Sequence, residues 1–192
     1  MKVFDSGMPD EAYWQSLFDI PAIVDWLNMD RVVPPVVEIG CGYGTFTLPV
    51  AGKTAGEFYA FDVEASMVER TRQSAGRAGL RKVHVDLRDV IDHGTGLEPE
   101  SAGLVLLFNI LHSPERRILL AEASRILRDE GVIAIIHWRK DIPTPRGPGI
   151  ESRPDKQTIL DSAAGLDLRM EGGESALEPY HWGMRLVKGR RP

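Results

Sequence analysis

Three glycines at alternate positions, Gly40, Gly42 and Gly44, follow a β-branched run in VVEIGCGYGTF, with a carboxylate at Glu38 two residues ahead of the first. Glycine permits positive φ and lacks the Cβ that holds a ligand off the backbone, so such a turn brings main-chain groups close to a bound molecule. A dinucleotide turn wants G-x-G-x-x-G, with a helix N-terminus meeting the pyrophosphate, and Glu38 would repel that anion. The spacing here is G-x-G-x-G, and a carboxylate beside it suits a ligand carrying an ammonium group. Asp62, twenty-two residues after Gly40 at the end of FYAFD, is placed to accept hydrogen bonds from two ribose hydroxyls. Ammonium and ribose together point to an aminoacyl nucleoside.

Regular elements must hold these groups in place. Five strand-like runs, at residues 36–39, 57–61, 82–85, 104–108 and 132–137, alternate with helix-like segments at 45–53, 64–78 and 115–127. That alternation is the pattern of a mostly parallel sheet with helices on its faces. Ahead of the first strand, residues 9–18 and 22–29 read as helical and stop before Pro34-Pro35. Trp14, Leu17 and Phe18 share one helical face there, which reads as a stripe packed on the sheet edge in preference to a substrate lid. After the fifth strand, prolines and glycines make 139–155 a long irregular loop. A short helix at 156–164, a strand at 166–170, a Gly172-Gly173 connection and a strand at 181–187 complete the chain. Two late strands without an intervening helix run antiparallel, so the sheet ends in a hairpin.

Taken in order, VVEIGCGYGTF, FYAFDVEASMVER, VHVDLRDV, LVLLFNILH and RILRDEGVIAIIHW resemble the successive motifs of class I S-adenosylmethionine-dependent methyltransferases. The resemblance implies an α/β, Rossmann-like, doubly wound sheet of seven mostly parallel strands with an antiparallel C-terminal hairpin. It also implies S-adenosyl-L-methionine as cofactor and in-line methyl transfer to an unidentified small-molecule acceptor. Position by position, it implies that Glu38, Gly40 and Gly42, with Cys41 and Gly44 of the same turn, surround the methionine end of the cofactor. Asp62 then binds the ribose, Val63 and Met67 lie against adenine, and Asn109 faces the sulfonium side. For the acid that meets the adenine amino group, Asp86 and Asp89 both qualify. Asp89 with Val90 beside it fits better, because the apolar alternation ends near Leu87 and RDV opens the loop. The chain departs from the family pattern at Gly103, where Asp is usual, and in RDEG, where Pro-Gly-Gly is common. It also has FNILHSP where an Asn- or Asp-Pro-Pro-Tyr/Phe sequence would mark methylation of nucleobase or glutamine amines, so those acceptors are disfavoured. Two other readings of the same turn are a non-catalytic S-adenosylmethionine or S-adenosylhomocysteine binding module and an NAD(P)-dependent oxidoreductase.

His112 and His137 fall at the ends of the fourth and fifth strands, where a histidine can take a proton from an acceptor, worth roughly 10² to 10⁴ in rate. The competing reading of each is a hydrogen-bonded loop residue. No two of the five histidines have the short spacing of a metal pair, so no metal site is expected, and His84 inside the third strand reads as a packing residue. Cys41 is the single cysteine; it excludes internal disulfides and reads as a small filler, not a nucleophile. Arg146 and Arg153 in the long loop offer to bind an acidic acceptor, but Asp141, Glu151 and Asp155 nearby favour ordinary solvated charges. With 192 residues the chain suits one domain: a helical cap at 1–33, a cofactor-binding core at 34–138, the loop at 139–155 and a C-terminal helix and hairpin at 156–192. The net charge of −5, with no concentration of Lys and Arg beyond 188–191, excludes nucleic acid as a partner. No apolar run is long enough to span a bilayer, and a cytoplasmic protein is expected.

Overall fold

The computed structural model describes residues 8–190, so the first seven residues of the expected cap and the last two of the C-terminal segment lie outside it. Seven strands form one sheet in the order β3-β2-β1-β4-β5-β7-β6. These are β1 Val36–Ile39, β2 Phe58–Asp62, β3 Val83–Leu87, β4 Ala102–Phe108, β5 Leu127–Trp138, β6 Leu168–Leu177 and β7 His181–Lys188. The first five pair in parallel, and β7 runs antiparallel to both β5 and β6. The strand order reverses between β1 and β4, where an open α/β sheet leaves a crevice at its carboxyl edge.

Among the described residues seven helices cover the faces: α1 Glu11–Gln15, α2 Ile20–Leu27, α3 Thr47–Lys53, α4 Ala65–Arg77, α5 Val90–His93, α6 Arg116–Ile126 and α7 Lys156–Ala163. Strand alternation sends Val36, Leu104, Leu106, Phe108, Ile136 and Trp138 to one face with Leu17, Phe18 and α2. It sends Val37, Ile39, Val105, Leu107, Ile133 and Ile135 to the other with α6 and α7. Helix α2 begins where the Asp19 carboxylate accepts from Ala22 N at 3.0 Å, buries Ile23, Val24 and Leu27, and stops at Asn28, whose φ is +54°. Among the described residues no helix is long and apolar enough to cross a membrane.

Several local readings are corrected. Gly172-Gly173 is not the hairpin connection; it lies within β6, where the register with β7 shifts between Glu171 and Ser175, and the chain turns at Glu178-Pro179-Tyr180. A Gly-Gly pair inside a strand marks a bulge as readily as a turn. Strand β5 starts at Leu127, directly after α6, so residues assigned to a helix end and a loop belong to the sheet. Helix α5 is an addition, and the long loop contains a 3₁₀ turn at Ile150–Ser152. His84 is not packed inside: on the edge strand β3 it is exposed, stacks on Tyr59 and bonds Glu57 Oε2 at 2.6 Å. The Trp14 stripe divides its work. Leu17 and Phe18 enter the core, whereas Trp14 packs edge-on to Phe18 and reaches a cavity over the sheet.

Candidate active site

The carboxyl ends of β1 to β5 open into one cavity of about 1290 Å³. Strand order fixes what lines it: Asp89 after β3, Asp62 at the end of β2, the glycine turn after β1, Asn109 after β4 and Trp138 at the end of β5. Adjacent strands lie about 4.8 Å apart, so four steps from β3 to β5 span roughly 19 Å.

The glycine turn is pinned to its neighbours. Gly40 N and Cys41 N both donate to Phe61 O, at 2.8 and 3.1 Å, and Gly42 N donates to Asp62 Oδ2 at 2.8 Å. Thr71 Oγ1 donates to Gly42 O at 2.7 Å. All three glycines have positive φ, yet their surroundings differ. A Cβ on Gly40 would sit 2.7 Å from Ile110 Cγ2 and one on Gly44 2.9 Å from Thr71 Cγ2, so these two are required by packing. On Gly42 it would meet only Met8 Cε at 3.6 Å. Gly40, Cys41 and Gly42 form cavity wall, whereas Gly44 does not.

The two acids of this region are held differently. Asp62 faces the cavity, and its Oδ1 also accepts from Glu64 N at 2.9 Å. Burial raises its pKa, opposed by the hydrogen bonds from Glu64 and Gly42. Glu38 does not reach the cavity wall. It is buried under the turn on the α3 side, where Oε2 accepts from Thr47 Oγ1 at 2.5 Å, and burial pushes its pKa up to about 8. Cys41 is buried, and its thiol is pushed far up by desolvation and by Glu38 and Asp62, which leaves it without thiolate character.

Toward β3, Val63, Met67, Asp89 and Val90 line the cavity and Asp86 does not; Asp86 is exposed on the edge strand. Asp89 also caps α5, its Oδ1 accepting from Ile91 N at 3.0 Å and Asp92 N at 3.3 Å. Toward β5, Asn109 has φ +56°, and both its side-chain polar atoms are buried without a hydrogen-bond partner. The hydroxyl of Thr45, also on the wall, is equally unsatisfied. Buried polar groups are nearly always paired, so two such groups on a cavity wall are the mark of a ligand's partners.

His112 lines the cavity, and burial lowers its pKa, which favours the neutral ring. His137 is not on the wall. Alternation along β5 turns Trp138 toward the cavity and His137 to the opposite face, fully buried, with its ring centroid 5.7 Å from that of His112. Residues that sequence reasoning missed include Thr45, Phe46, Phe108, Ile110 and Trp138, together with His93 of α5. The aromatic pattern at strand ends was the available signal for Phe108 and Trp138. Among the described residues no His, Cys, Asp or Glu cluster could hold a metal.

A family profile described as "Methyltransferase domain" matches residues 36–131. Over 116 residues the chain is 27% identical to the O-methyltransferase cnsE of Penicillium expansum, taking in 59% of this chain and 41% of that protein. The chain therefore spans less than half the length of this curated relative. In fold it is similar to a SAM-dependent methyltransferase from Aquifex aeolicus, with a TM-score of 0.79 at 20% identity over 93% of both chains. It is also similar to magnesium protoporphyrin IX methyltransferase from Synechocystis PCC 6803, solved with bound SAH, with a TM-score of 0.68 at 17% identity, covering 98% of this chain and 91% of that one. Since the matched profile takes in half of the sequence, from β1 into β5, the chain belongs to the methyltransferase-domain family.

Proposed function

We propose that this protein, as one cytoplasmic domain, transfers the methyl group of S-adenosylmethionine to an oxygen of a small, flat, largely apolar molecule. The observation that carries the reading is a single cavity with two unlike ends. Acids line it over β2 and β3, aromatics line it over β4 and β5, and the glycine turn and the unsatisfied Asn109 amide stand between. Its volume of about 1290 Å³ exceeds the roughly 300–1,000 Å³ of an ordinary ligand site, which leaves room for donor and acceptor together. The residues present fit the donor: a side-chain-free turn, an acid at the end of β2 for the ribose, and buried polar groups that lack partners.

When bound, S-adenosylmethionine supplies an electrophilic methyl on a positively charged sulfur. Asp62 holds the ribose hydroxyls, Val63 and Met67 flank the adenine, and Asp89 with Val90 meets its amino edge. The turn at Gly40–Gly42 receives the methionine end, and Asn109 faces the sulfur. Glu38 acts on this end through the turn it underlies and through Thr47. Trp14, Phe46, Phe108 and Trp138 exclude water and align the acceptor, and alignment alone contributes about 7–11 kcal/mol when reacting atoms are held close. His112 accepts the hydroxyl proton at a ring nitrogen. The name of the fungal relative, an O-methyltransferase, supports an oxygen acceptor. The net charge of −5 and the recessed, largely apolar cavity favour a metabolite over nucleic acid.

The test is transfer of radiolabel from S-adenosylmethionine to a panel of phenols, aryl carboxylates and aryl amines. Labelled phenol ethers with wild type, reduced about 10²-fold or more by His112→Gln, are expected. Label on amines alone, or none on any panel member despite donor binding, contradicts the reading.

A further inference from the structure

The segment 139–155 is organised by one residue. Two of its other cations pair with acids: Arg139 with Asp141 at 2.8 Å and Glu178 at 3.3 Å, and Lys140 with Asp155. Arg153 makes no ion pair among the described residues and is only 7% exposed. All three guanidinium nitrogens donate to carbonyls instead: Nε to Pro148 O at 2.9 Å, one terminal nitrogen to Arg139 O at 2.6 Å and the other to Arg146 O at 3.2 Å. The guanidinium carbon lies 5.9 Å from the centroid of the Trp138 ring. The sequence expectation of a solvated charge is therefore corrected for Arg153. Burying a guanidinium without a carboxylate is unfavourable for folding by itself, so its geometry calls for a purpose.

That geometry ties the Arg139 carbonyl, at the start of the segment, to those of Arg146 and Pro148 on one planar fork. As a result, Arg146, Gly147 and Pro148 become wall of the cavity next to Trp138. Gly147 has φ +115°, and a Cβ there would lie 2.9 Å from Trp138 Cδ2, so only glycine rests this closely on the indole. On its inner side Trp138 meets Trp14 edge-on at 6.2 Å. None of these contacts touches the acid-lined end.

We propose that Arg153 is a positioning residue for the acceptor: by gathering the 139–155 segment it presses residues 146–148 onto Trp138 and completes a slot for a flat, largely apolar ring. The proposal rests on the methyltransferase reading of the cavity. It assigns Arg153 to one end only, so its removal divides the two binding functions, whereas a general structural role would weaken both together.

The experiment uses the whole protein with two probes, S-adenosylhomocysteine by calorimetry and 2-naphthol by quenching of tryptophan fluorescence in the S-adenosylhomocysteine complex. Arg153→Met is expected to weaken 2-naphthol binding tenfold or more and to change S-adenosylhomocysteine affinity less than twofold. Arg153→Lys, which keeps charge but not the fork, should give the same split. Gly147→Ala, whose Cβ would lie 2.9 Å from Trp138 Cδ2 and 3.1 Å from the Arg153 guanidinium, disturbs the same wall with Arg153 retained, and decides the matter should Arg153→Met fail to fold. Loss of 2-naphthol binding with intact S-adenosylhomocysteine binding supports the proposal. Unchanged 2-naphthol binding in the folded variants, parallel loss of both ligands, or no 2-naphthol binding by wild type overturns it. Failure of the underlying reading shows differently, as no S-adenosylhomocysteine binding by wild type, and overturns both.

Discussion

Replacing Asp62 by Asn tests how one carboxylate serves both the turn and the donor. Its two oxygens accept Gly42 N–H at 2.8 Å and Glu64 N–H at 2.9 Å. Hydrogen bonds to a charged acceptor contribute about 1.5–3 kcal/mol, and neutral ones about 0.5–1.5 kcal/mol. An amide offers one acceptor oxygen, so one N–H loses its partner and the other bond drops to the neutral class, a loss of about 3 kcal/mol in all. Burial works the other way, since it raises the Asp62 pKa and an uncharged side chain is easier to bury. The expected net loss in urea unfolding is about 1–2 kcal/mol. Donor affinity falls separately, because the same carboxylate is proposed to take the ribose hydroxyls. Calorimetry with S-adenosylhomocysteine should show Kd rising about 30-fold, equivalent to about 2 kcal/mol. Stability lost with affinity intact removes the ribose contact from the account. Neither lost refutes the reasoning about this residue altogether.

Two further perturbations follow from the same geometry. Gly42→Ala should weaken S-adenosylhomocysteine about tenfold while destabilising by only about 1 kcal/mol, whereas Gly44→Ala, whose Cβ meets Thr71, should destabilise more and affect affinity less; thermal unfolding and calorimetry on both variants check this. Stability should peak near pH 6.5. His137 and His181 are held neutral by burial, the latter at about 3, so the unfolded chain takes up protons first and stability falls below pH 6.5. Glu38 has the opposite sign: its folded value of about 8 lies above 4.5, so its contribution falls as pH rises between those values. At 1.36 kcal/mol per unit, Glu38 removes about 2 kcal/mol between pH 6.5 and 8; between pH 6.5 and 5 the loss of about 2 kcal/mol from His181 is matched by the Glu38 gain, and His137 and His112, both lowered by burial, tip the balance to a net fall. Denaturant titrations across this range should show the peak, and Glu38→Gln should abolish the alkaline fall.

What the sequence disclosed was local. The run VVEI, the glycines after it and the acid closing FYAFD each carry their meaning within a few residues, and β1 lies at 36–39 as read. The four residues of α5 are too few to show helical periodicity, and only the cap by Asp89 marks them. Glu38 was legible as an acid beside a turn, but its partner Thr47 depends on how α3 lies over β1. The same holds for Arg153. Nothing in RGPGIESRPD reveals that its carbonyls converge on one guanidinium above an indole, because that contact is made by tertiary packing. Gly172-Gly173 misled for a related reason: turn chemistry is shared by bulges, and only pairing with β7 separates the two.

The central claim is that the glycine turn and the acid after β2 form a cradle for a sulfonium nucleoside and not for a dinucleotide. Isothermal titration of the purified chain with S-adenosylmethionine, S-adenosylhomocysteine, NAD and NADP tests it most directly. Micromolar binding of the first two, with no heat from NAD or NADP, is the result the account predicts. Micromolar binding of NAD or NADP without binding of S-adenosylmethionine would contradict it.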